Sequence, residues 1–363
     1  MRFYEVEVIA GLRIYSREMR TRARPSIDEI AKLSSFSKAT VDRVLHGRAG
    51  VHPRTRDKVN QVLAQLEAEY EHRAPEPFGA SSASQAPQRF GFIIQAGQAF
   101  TESFLTAIEK QRNGDRALEI EGLGAASDGA VVEAIKGWTD GLDGLAVVCK
   151  NIPPITDELK RLRQAGKSVM ALVSDLELSA RSTYLGIDNR VAGNVAAYLM
   201  GRHLEGRSGA QVAVVVGSFS YRCHEDREIG FRSIMRQQFE GVGLLEVIKG
   251  EDSDEAAYDA ARKLLQVKPN IVGVYNVAGG NRGLAQALAE LQHAYRPVYI
   301  THELNRVTEP LLRTQQIDYL IVQDLDEMVR RAIQFMREIP RDNRGSHALE
   351  HIPFRLLTQF NIG

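Results

Sequence analysis

Near its start the chain carries two short runs of apolar residues at helical spacing, and from Arg89 onward it alternates apolar runs with helical periods. In the first run Ile27, Ile30, Ala31 and Leu33 recur at helical intervals, which predicts a helix with one inward face. Ser26 and Glu29 have the S-x-x-E spacing of a capping box, which satisfies free amides at a helix start. Ser34-Ser35-Phe36 breaks the period, and Ser37 then caps a second helix whose inner face is Val41, Val44 and Leu45. By spacing alone this is either an ordinary helical hairpin or a helix-turn-helix, which lays its second helix in the DNA major groove. Helical patterning resumes from Pro53 to about Tyr70, with Val59, Val62, Leu63 and Leu66 on one face.

A segment rich in Pro, Ala, Ser and Gln follows, RAPEPFGASSASQAPQ, and reads as a linker. Strands are expected at 90–95, 118–123, 144–149, 168–174, 183–188, 211–218, 243–250, 271–277, 297–301 and 318–323. Helical periods separate them at 101–112, 126–138, 154–165, 189–204, 224–238, 253–266 and 280–292. Strands alternating with helices imply parallel, doubly wound α/β sheets, and this many strands pack most naturally as two lobes around a cleft.

Charge singles out the first region. Between Arg20 and Lys58 ten Lys and Arg face only four Asp and Glu, whereas the 363-residue chain as a whole has 46 of each. A basic block on a neutral chain is the footprint of a nucleic-acid module, the bland alternative being a solvated charged face. Apolar content of 44% supplies a real core, and two cysteines, Cys149 and Cys223, are too few for a disulfide framework. With no secretory leader pattern and no long apolar run, a cytoplasmic protein is expected. The first 20 or so residues read equally as an ordered extension, a tail or an over-long start.

The residue order of 26–59 resembles the LacI/GalR (lactose-repressor-like) family of bacterial regulators. Ile27, Glu29, Ile30, Ala31, Ser37, Thr40, Val41, Arg43, Val44, Leu45 and Gly47 stand in register with its headpiece, followed by Val51, Thr55, Arg56 and Val59. Asp42 and His46 depart from the usual Ser and Asn. The resemblance implies DNA contacts by Ser26, Ser37, Lys38, Ala39, Thr40, Arg43, His46 and Arg54. The family's hinge-helix pattern, whose leucine wedges into the minor groove, is missing between Ala74 and Gln88. Beyond the linker the resemblance implies a type I periplasmic-binding-protein fold of two doubly wound parallel sheets. The implied organisation is an N-terminal extension 1–25, an all-α headpiece 26–73, a linker 74–88 and an effector domain 89–363. Its first lobe would hold 89–205 and 324–352, its second 206–323 and 353–363.

Ligands of open α/β sheets sit beyond the carboxyl ends of the strands, so candidates are sought there. Phe100 stands where relatives place a stacking aromatic, with a core role as the alternative. Asp175 and Asp188 follow strands and suit vicinal hydroxyls; Asp188 is equally placed as a helix N-cap. Arg227 matches the arginine of R-x-x-G-F in relatives, and its fork of donors suits hydroxyl or carboxylate oxygens. His224 and Cys223 share that segment, read as a loop. Asn276 and Asn281 replace the Asn-Asp that relatives carry after the same strand, and Gln323 matches a glutamine that relatives point into the cleft.

The implied protein is an effector-controlled transcription factor acting on operator DNA as a homodimer or tetramer, its effector a sugar or polyol. A solute-binding protein is the alternative, and the headpiece argues against it. Gly279-Gly280-Asn281-Arg282-Gly283 lacks the Lys-Ser/Thr end of a P-loop. His302-Glu303-Leu304 begins like a zinc-protease motif, but Arg306 stands where the second histidine belongs. No D-x-G-x-T motif occurs either. No metal, cofactor, membrane contact or enzymatic activity is expected.

Overall fold

The computed structural model describes residues 27–34, 36–45, 51–52, 55–63, 88–112, 118–124, 126–138, 141–207, 209–268, 270–290, 296–338 and 349–362. The chain divides into two compact units, Met1–Ser84 and Gln85–Gly363.

In the first unit, α1 (Ile27–Ser34) and α2 (Lys38–Leu45) are followed by a helix at 55–63, α3. Ser37 caps α2 as expected: its Oγ accepts from the Thr40 N–H at 3.2 Å. Ile30, Val41, Val44, Val59 and Val62 form the core. Leu33 and Leu45, expected to face inward, are 56% and 36% exposed. Five aliphatics fill the centre of so small a domain, and the remaining apolar residues are left at its rim. The linker 74–87 lies outside the described residues, and Gln88, expected to end it, already belongs to a strand.

The second unit holds two sheets. The first contains β1 (Gln88–Ile94), β2 (Leu118–Gly124), β3 (Gly144–Val148), β4 (Ser168–Leu172), β5 (Thr183–Gly186) and β12 (Leu349–His351), in the order β12-β5-β4-β3-β1-β2. All its pairings are parallel. The second runs β13-β11-β10-β9-β6-β7: β13 (Phe354–Leu357), β11 (Tyr319–Gln323), β10 (Val298–His302), β9 (Ile271–Asn276), β6 (Gln211–Val216) and β7 (Gly243–Leu244). Only β13 is antiparallel there, and β8 (Ile248–Lys249) also pairs with β6. The single strand expected at 243–250 is therefore two short ones. Helices cover both faces, so the central strands read as unbroken apolar runs such as Val212–Val216, fully buried.

Three chain crossings join the sheets. α7 (Asn189–Leu204) packs on α8 (Arg222–Gln238) and against β9 and β10, which puts it with the second sheet. The first crossing thus falls at Asp188 rather than near residue 205. α12 (Leu325–Glu338) packs with β4, β5 and α4 (Gln98–Arg112), so the chain returns after Gln323 and crosses again between β12 and β13. The α7–α8 seam is tight because Gly193 and Gly230 face the opposing backbone. A Cβ at Gly193 would lie 2.1 Å from the Arg227 carbonyl oxygen, and one at Gly230 2.3 Å from that of Arg190. That closeness brings Arg227 within reach of the first residue of α7.

Candidate effector site and DNA interface

A cavity of about 490 Å³ lies between the two sheets, beyond the carboxyl ends of their strands. On the first-lobe side it is walled by Ala96, Ala99, Phe100, Val148 and Val173. On the second-lobe side it meets Tyr221, Cys223, His224, Arg227, His302 and Glu303, together with the 277–282 turn. The lobes touch directly around it: Tyr221 Oη donates to the Gln95 carbonyl at 2.9 Å, and the Asn151 N–H to that of Ser220 at 2.7 Å.

Arg227, on α8, is 3% exposed. Its Nε donates to Asn189 Oδ1 at 2.8 Å and its Nη1 to the Val277 carbonyl at 2.9 Å. Asn189 Nδ2 in turn donates to the Val173 carbonyl at 3.0 Å. This relay joins the end of β4 in one lobe to the end of β9 in the other. Arg227 Nη2 has no hydrogen-bond partner and stands 3.7 Å from Glu303 Oε1.

Glu303 follows β10 and accepts from Gln323 Nε2 at 2.7 Å. Burial pushes its carboxyl up to about 7, while Arg227 and Gln323 pull the other way. His302 Nε2 pairs with Tyr275 Oη at 2.7 Å, and its Nδ1 has no partner. Burial and the Arg227 charge hold His302 well below the usual histidine range; His224 is lowered first by burial as well. Both rings are therefore neutral at pH 7. The cavity thus combines apolar surface with buried donors and acceptors whose capacity is unmet. Buried polar groups normally have partners, so these unpaired atoms at the cavity wall stand out.

Among the sequence candidates, Arg227, Phe100 and Asn281 line the cavity. Phe100 also packs edge-on against Phe104, the packing role named as its alternative. Asp175, Asp188, Asn276 and Gln323 do not line it, and each is otherwise engaged. Asp175 accepts from the buried Arg181 Nη2 at 3.0 Å. Asp188 is the N-cap of α7, accepting from the Val191 N–H at 3.0 Å. Asn276 shapes the turn after β9 through Gly279 and Asn281, and Gln323 holds Glu303. Cys223 and His224 are buried on α8, not on a loop. Sequence reasoning missed Glu303 and His302, which it had set aside with the incomplete zinc motif. Among the described residues no group of three or more His, Cys, Asp or Glu could hold a metal.

On α2, Lys38 and Arg43 are exposed, as is Ser37 before it, and Thr40 is half-buried. Ala39 lies in the same helix. Ser26, His46 and Arg54 lie outside the described residues. No described helix is long and apolar enough to cross a membrane.

Residues 26–69 match the model of bacterial regulatory proteins of the lacI family, and residues 90–341 match the periplasmic binding protein domain. The chain is similar to the HTH-type transcriptional repressor PurR of Vibrio cholerae serotype O1, 23% identical over 261 residues, which span 69% of this chain and 73% of that protein. The namesake from Vibrio campbellii is 22% identical over the same length. In structure the chain resembles GanP, a glucose-galactose binding protein from Geobacillus stearothermophilus, with a TM-score of 0.69 at 18% identity, over 77% of this chain and 99% of that one. It also resembles an ABC transporter solute-binding protein from Burkholderia graminis in complex with D-arabinose, with a TM-score of 0.68 at 19% identity, over 77% and 98% of the two chains. The likeness to solute-binding proteins accounts for the two lobes alone, and the headpiece decides between receptor and regulator. The chain belongs to the lacI family of bacterial regulatory proteins: it is a DNA-binding transcriptional regulator controlled by a small-molecule effector.

Proposed function

We propose that this regulator is a cytoplasmic, non-enzymatic repressor that binds palindromic operator DNA as a homodimer and responds to a sugar or polyol held in the 490 Å³ cavity. One observation carries the effector reading. Arg227 Nη2 and His302 Nδ1 are buried without hydrogen-bond partners, and both residues line a cavity that also offers the apolar face of Phe100. A sugar ring presents hydroxyl edges and an apolar face, which matches that combination. The relatives named as repressors and the structural neighbour titled with D-arabinose support the same reading. Arg227, Phe100 and Asn281, which line the cavity, are the effector contacts; Asp175, Asp188, Asn276 and Gln323 lie outside its lining.

DNA contact is assigned to α2, with Lys38 and Arg43 on its exposed side and Ser37, Ala39 and Thr40 at its start. Ser26, His46 and Arg54 complete the proposed interface. An effector alters operator affinity only through a difference in its affinity for the two states of the dimer. The test is a thermal-shift screen against pentoses, hexoses and polyols, followed by operator binding with each compound that stabilises the protein. A sugar that raises the melting temperature and changes operator affinity is the expected result. Absence of any stabilising sugar or polyol overturns the effector class, and a monomer at operator-binding concentrations overturns the dimer.

A further inference from the structure

A second cavity, of about 1140 Å³, adjoins the first. Ala96, Gly97, Gln98, Tyr221 and Asp252 line both, so the two are chambers of one cleft. Sheet topology fixes their order. The chain crosses between the lobes beside β5, β12, β11 and β13, at one edge of each sheet. The second cavity instead takes Gly124 from the end of β2 and Lys249 from the end of β8, toward the opposite edge. The 490 Å³ cavity is thus the inner chamber, and the larger one is the mouth of the cleft.

The boundary between them is built with care for position. Tyr221 stands on it, 6% exposed, its hydroxyl on the Gln95 carbonyl at 2.9 Å. Glu251 and Asp252 are consecutive non-glycine residues at positive φ, 50° and 53°. Such a conformation costs on the order of 1–3 kcal/mol and persists where the surroundings over-determine it, a condition concentrated at ligand sites. Here the Gly250 N–H donates to the Val216 carbonyl at 2.8 Å, and Asp252 Oδ1 accepts from the Gly279 N–H at 2.8 Å. Gly217 leaves the room, since a Cβ there would lie 2.3 Å from Asp252 Oδ2.

We propose that the effector is a two-unit ligand, a neutral disaccharide or glycoside, with one sugar in the inner chamber and the second unit in the mouth against Phe219. The proposal rests on the reading of the inner cavity as a sugar or polyol site and names its ligand more closely. The inner chamber alone falls in the range of about 300–1,000 Å³ usual for a small-molecule site, so a monosaccharide would leave the larger chamber to water. Phe219 lies between Ser218 and Ser220 on the turn after β6, lines the mouth and is 47% exposed. It gives the outer chamber an aromatic face, as Phe100 does the inner one. Charge selects against an anionic second unit. Glu102, Glu251 and Asp252 line the mouth against Lys150 and Lys249, and Lys150 is already held by Asp128 at 2.8 Å. A phosphate would enter among like charges, whereas hydroxyls find both donors and acceptors. Gln98 and Lys150 belong to the first lobe, Phe219 and Lys249 to the second, so the second unit would add contacts that span the cleft.

The full-length protein and its Phe219→Ala and Phe219→Tyr variants are titrated calorimetrically with neutral pentoses and hexoses, with disaccharides and glycosides built from them, and with the corresponding sugar phosphates. One two-unit ligand is expected to bind the wild-type protein at least about tenfold more tightly than the monosaccharide it contains. Phe219→Ala should lose about tenfold for that ligand and less than about twofold for the monosaccharide. Phe219→Tyr keeps the ring and should stay within about twofold of wild type for both. Phe219 is half exposed and outside the core, and the wild-type selectivity remains a readout even if a variant fails to fold. A monosaccharide that binds as tightly as every two-unit ligand overturns the proposal and leaves the inner sugar site standing. A two-unit preference that Phe219→Ala leaves intact overturns the placement of the second unit in the mouth. Preference for a sugar phosphate overturns the neutral class. If no sugar, glycoside or polyol binds, the sugar reading itself fails and this inference falls with it.

Discussion

The two lobes do different jobs at the cavity they share. The first lobe contributes mainly apolar walls, Phe100, Val148 and Val173 among them, and among the described residues no buried charge reaches the cavity from it. The second lobe, with α7 and α8 on its sheet, contributes the buried Arg227, His224 and His302 and the partly exposed Glu303. The polar groups of the cavity are therefore set out on one sheet and its helices, where three strand ends and one helix fix donors and acceptors relative to each other. The other lobe supplies shape and excludes water, which strengthens each polar contact it covers.

The largest break in this comparison is Arg227→Ala. It leaves Glu303 buried without its counter-charge and removes donors from Asn189 and Val277. Losing one partner of a buried pair costs about 3–5 kcal/mol of stability, and effector affinity should fall by roughly 1.5–3 kcal/mol. Chemical denaturation and calorimetry read the two. Operator binding without effector should persist in the folded fraction; its loss would assign Arg227 a structural role. Without Arg227 the Glu303 carboxyl holds its proton more tightly, so adding Glu303→Gln should change stability little at pH 7.

Next comes pH. Glu303 is raised from 4.5 to about 7 by burial, so between those values the folded state holds a proton that the unfolded state has lost. Its contribution is fully favourable below 4.5 and is lost as pH rises through 7, by roughly 3 kcal/mol at 1.36 kcal/mol per unit. The lowered His224 and His302 act oppositely: below 6.5 the unfolded state binds the extra protons, so their contribution is lost as pH falls. The total profile mixes the two signs, and the comparison with Glu303→Gln isolates one of them. Relative to that variant, the wild-type protein should lose stability from pH 5 to pH 8 in the absence of effector. A constant difference would show that Glu303 does not titrate in this range.

Phe100 tests the first lobe by itself. Truncation to Ala removes apolar contact at the cavity and against Phe104, with no charged group involved. Effector affinity should drop by about 1–2 kcal/mol at every pH, leaving the pH profile of stability unchanged. A change in that profile would mean that the lobes do not divide the work as described.

How much of this was legible from residue order differs by region. The headpiece stood out because Ile30, Val41 and Val44 must share one face and Ser37 must cap, and each constraint leaves a residue-level mark. The strands stood out because parallel sheets covered on both sides demand unbroken apolar runs, as at Val212–Val216. Arg227 lines the cavity, whereas four of the acidic and amide residues expected at the ligand, Asp175, Asp188, Asn276 and Gln323, do not line it. Asp175 is taken by Arg181, Asp188 by α7 and Gln323 by Glu303, and no sequence pattern tells a cap from a contact. Glu303 was missed because its importance lies in a backbone turn at φ 65° and in a distance to Arg227, neither of which its neighbours in sequence encode. The first crossing was placed late because a helix following β5 reads the same on either lobe.

The smallest expected effect concerns the contact between the lobes at the cavity edge. Arg306, in the loop after β10, reaches Glu102 on α4 with two donors, Nη2 to Oε1 at 3.2 Å and Nε to Oε2, while Gln98 Nε2 donates to Glu102 at 2.9 Å. The ion pair bridges the polar lobe to the apolar one, and Arg306 also lines the cavity. Its side chains are 53% and 45% exposed, so solvent and salt screen it, and pairs of this kind contribute about 0–1 kcal/mol. Arg306→Ala should therefore leave the fold untouched and weaken effector binding by less than about fivefold, mostly through faster dissociation. Raising the salt concentration should reproduce that increase in the wild-type protein and have little further effect on the variant. Stopped-flow displacement of bound effector measures both. A loss on the scale of Arg227→Ala would move part of the polar recognition to the lobe edge, and the division between a reading lobe and a covering lobe would have to be redrawn.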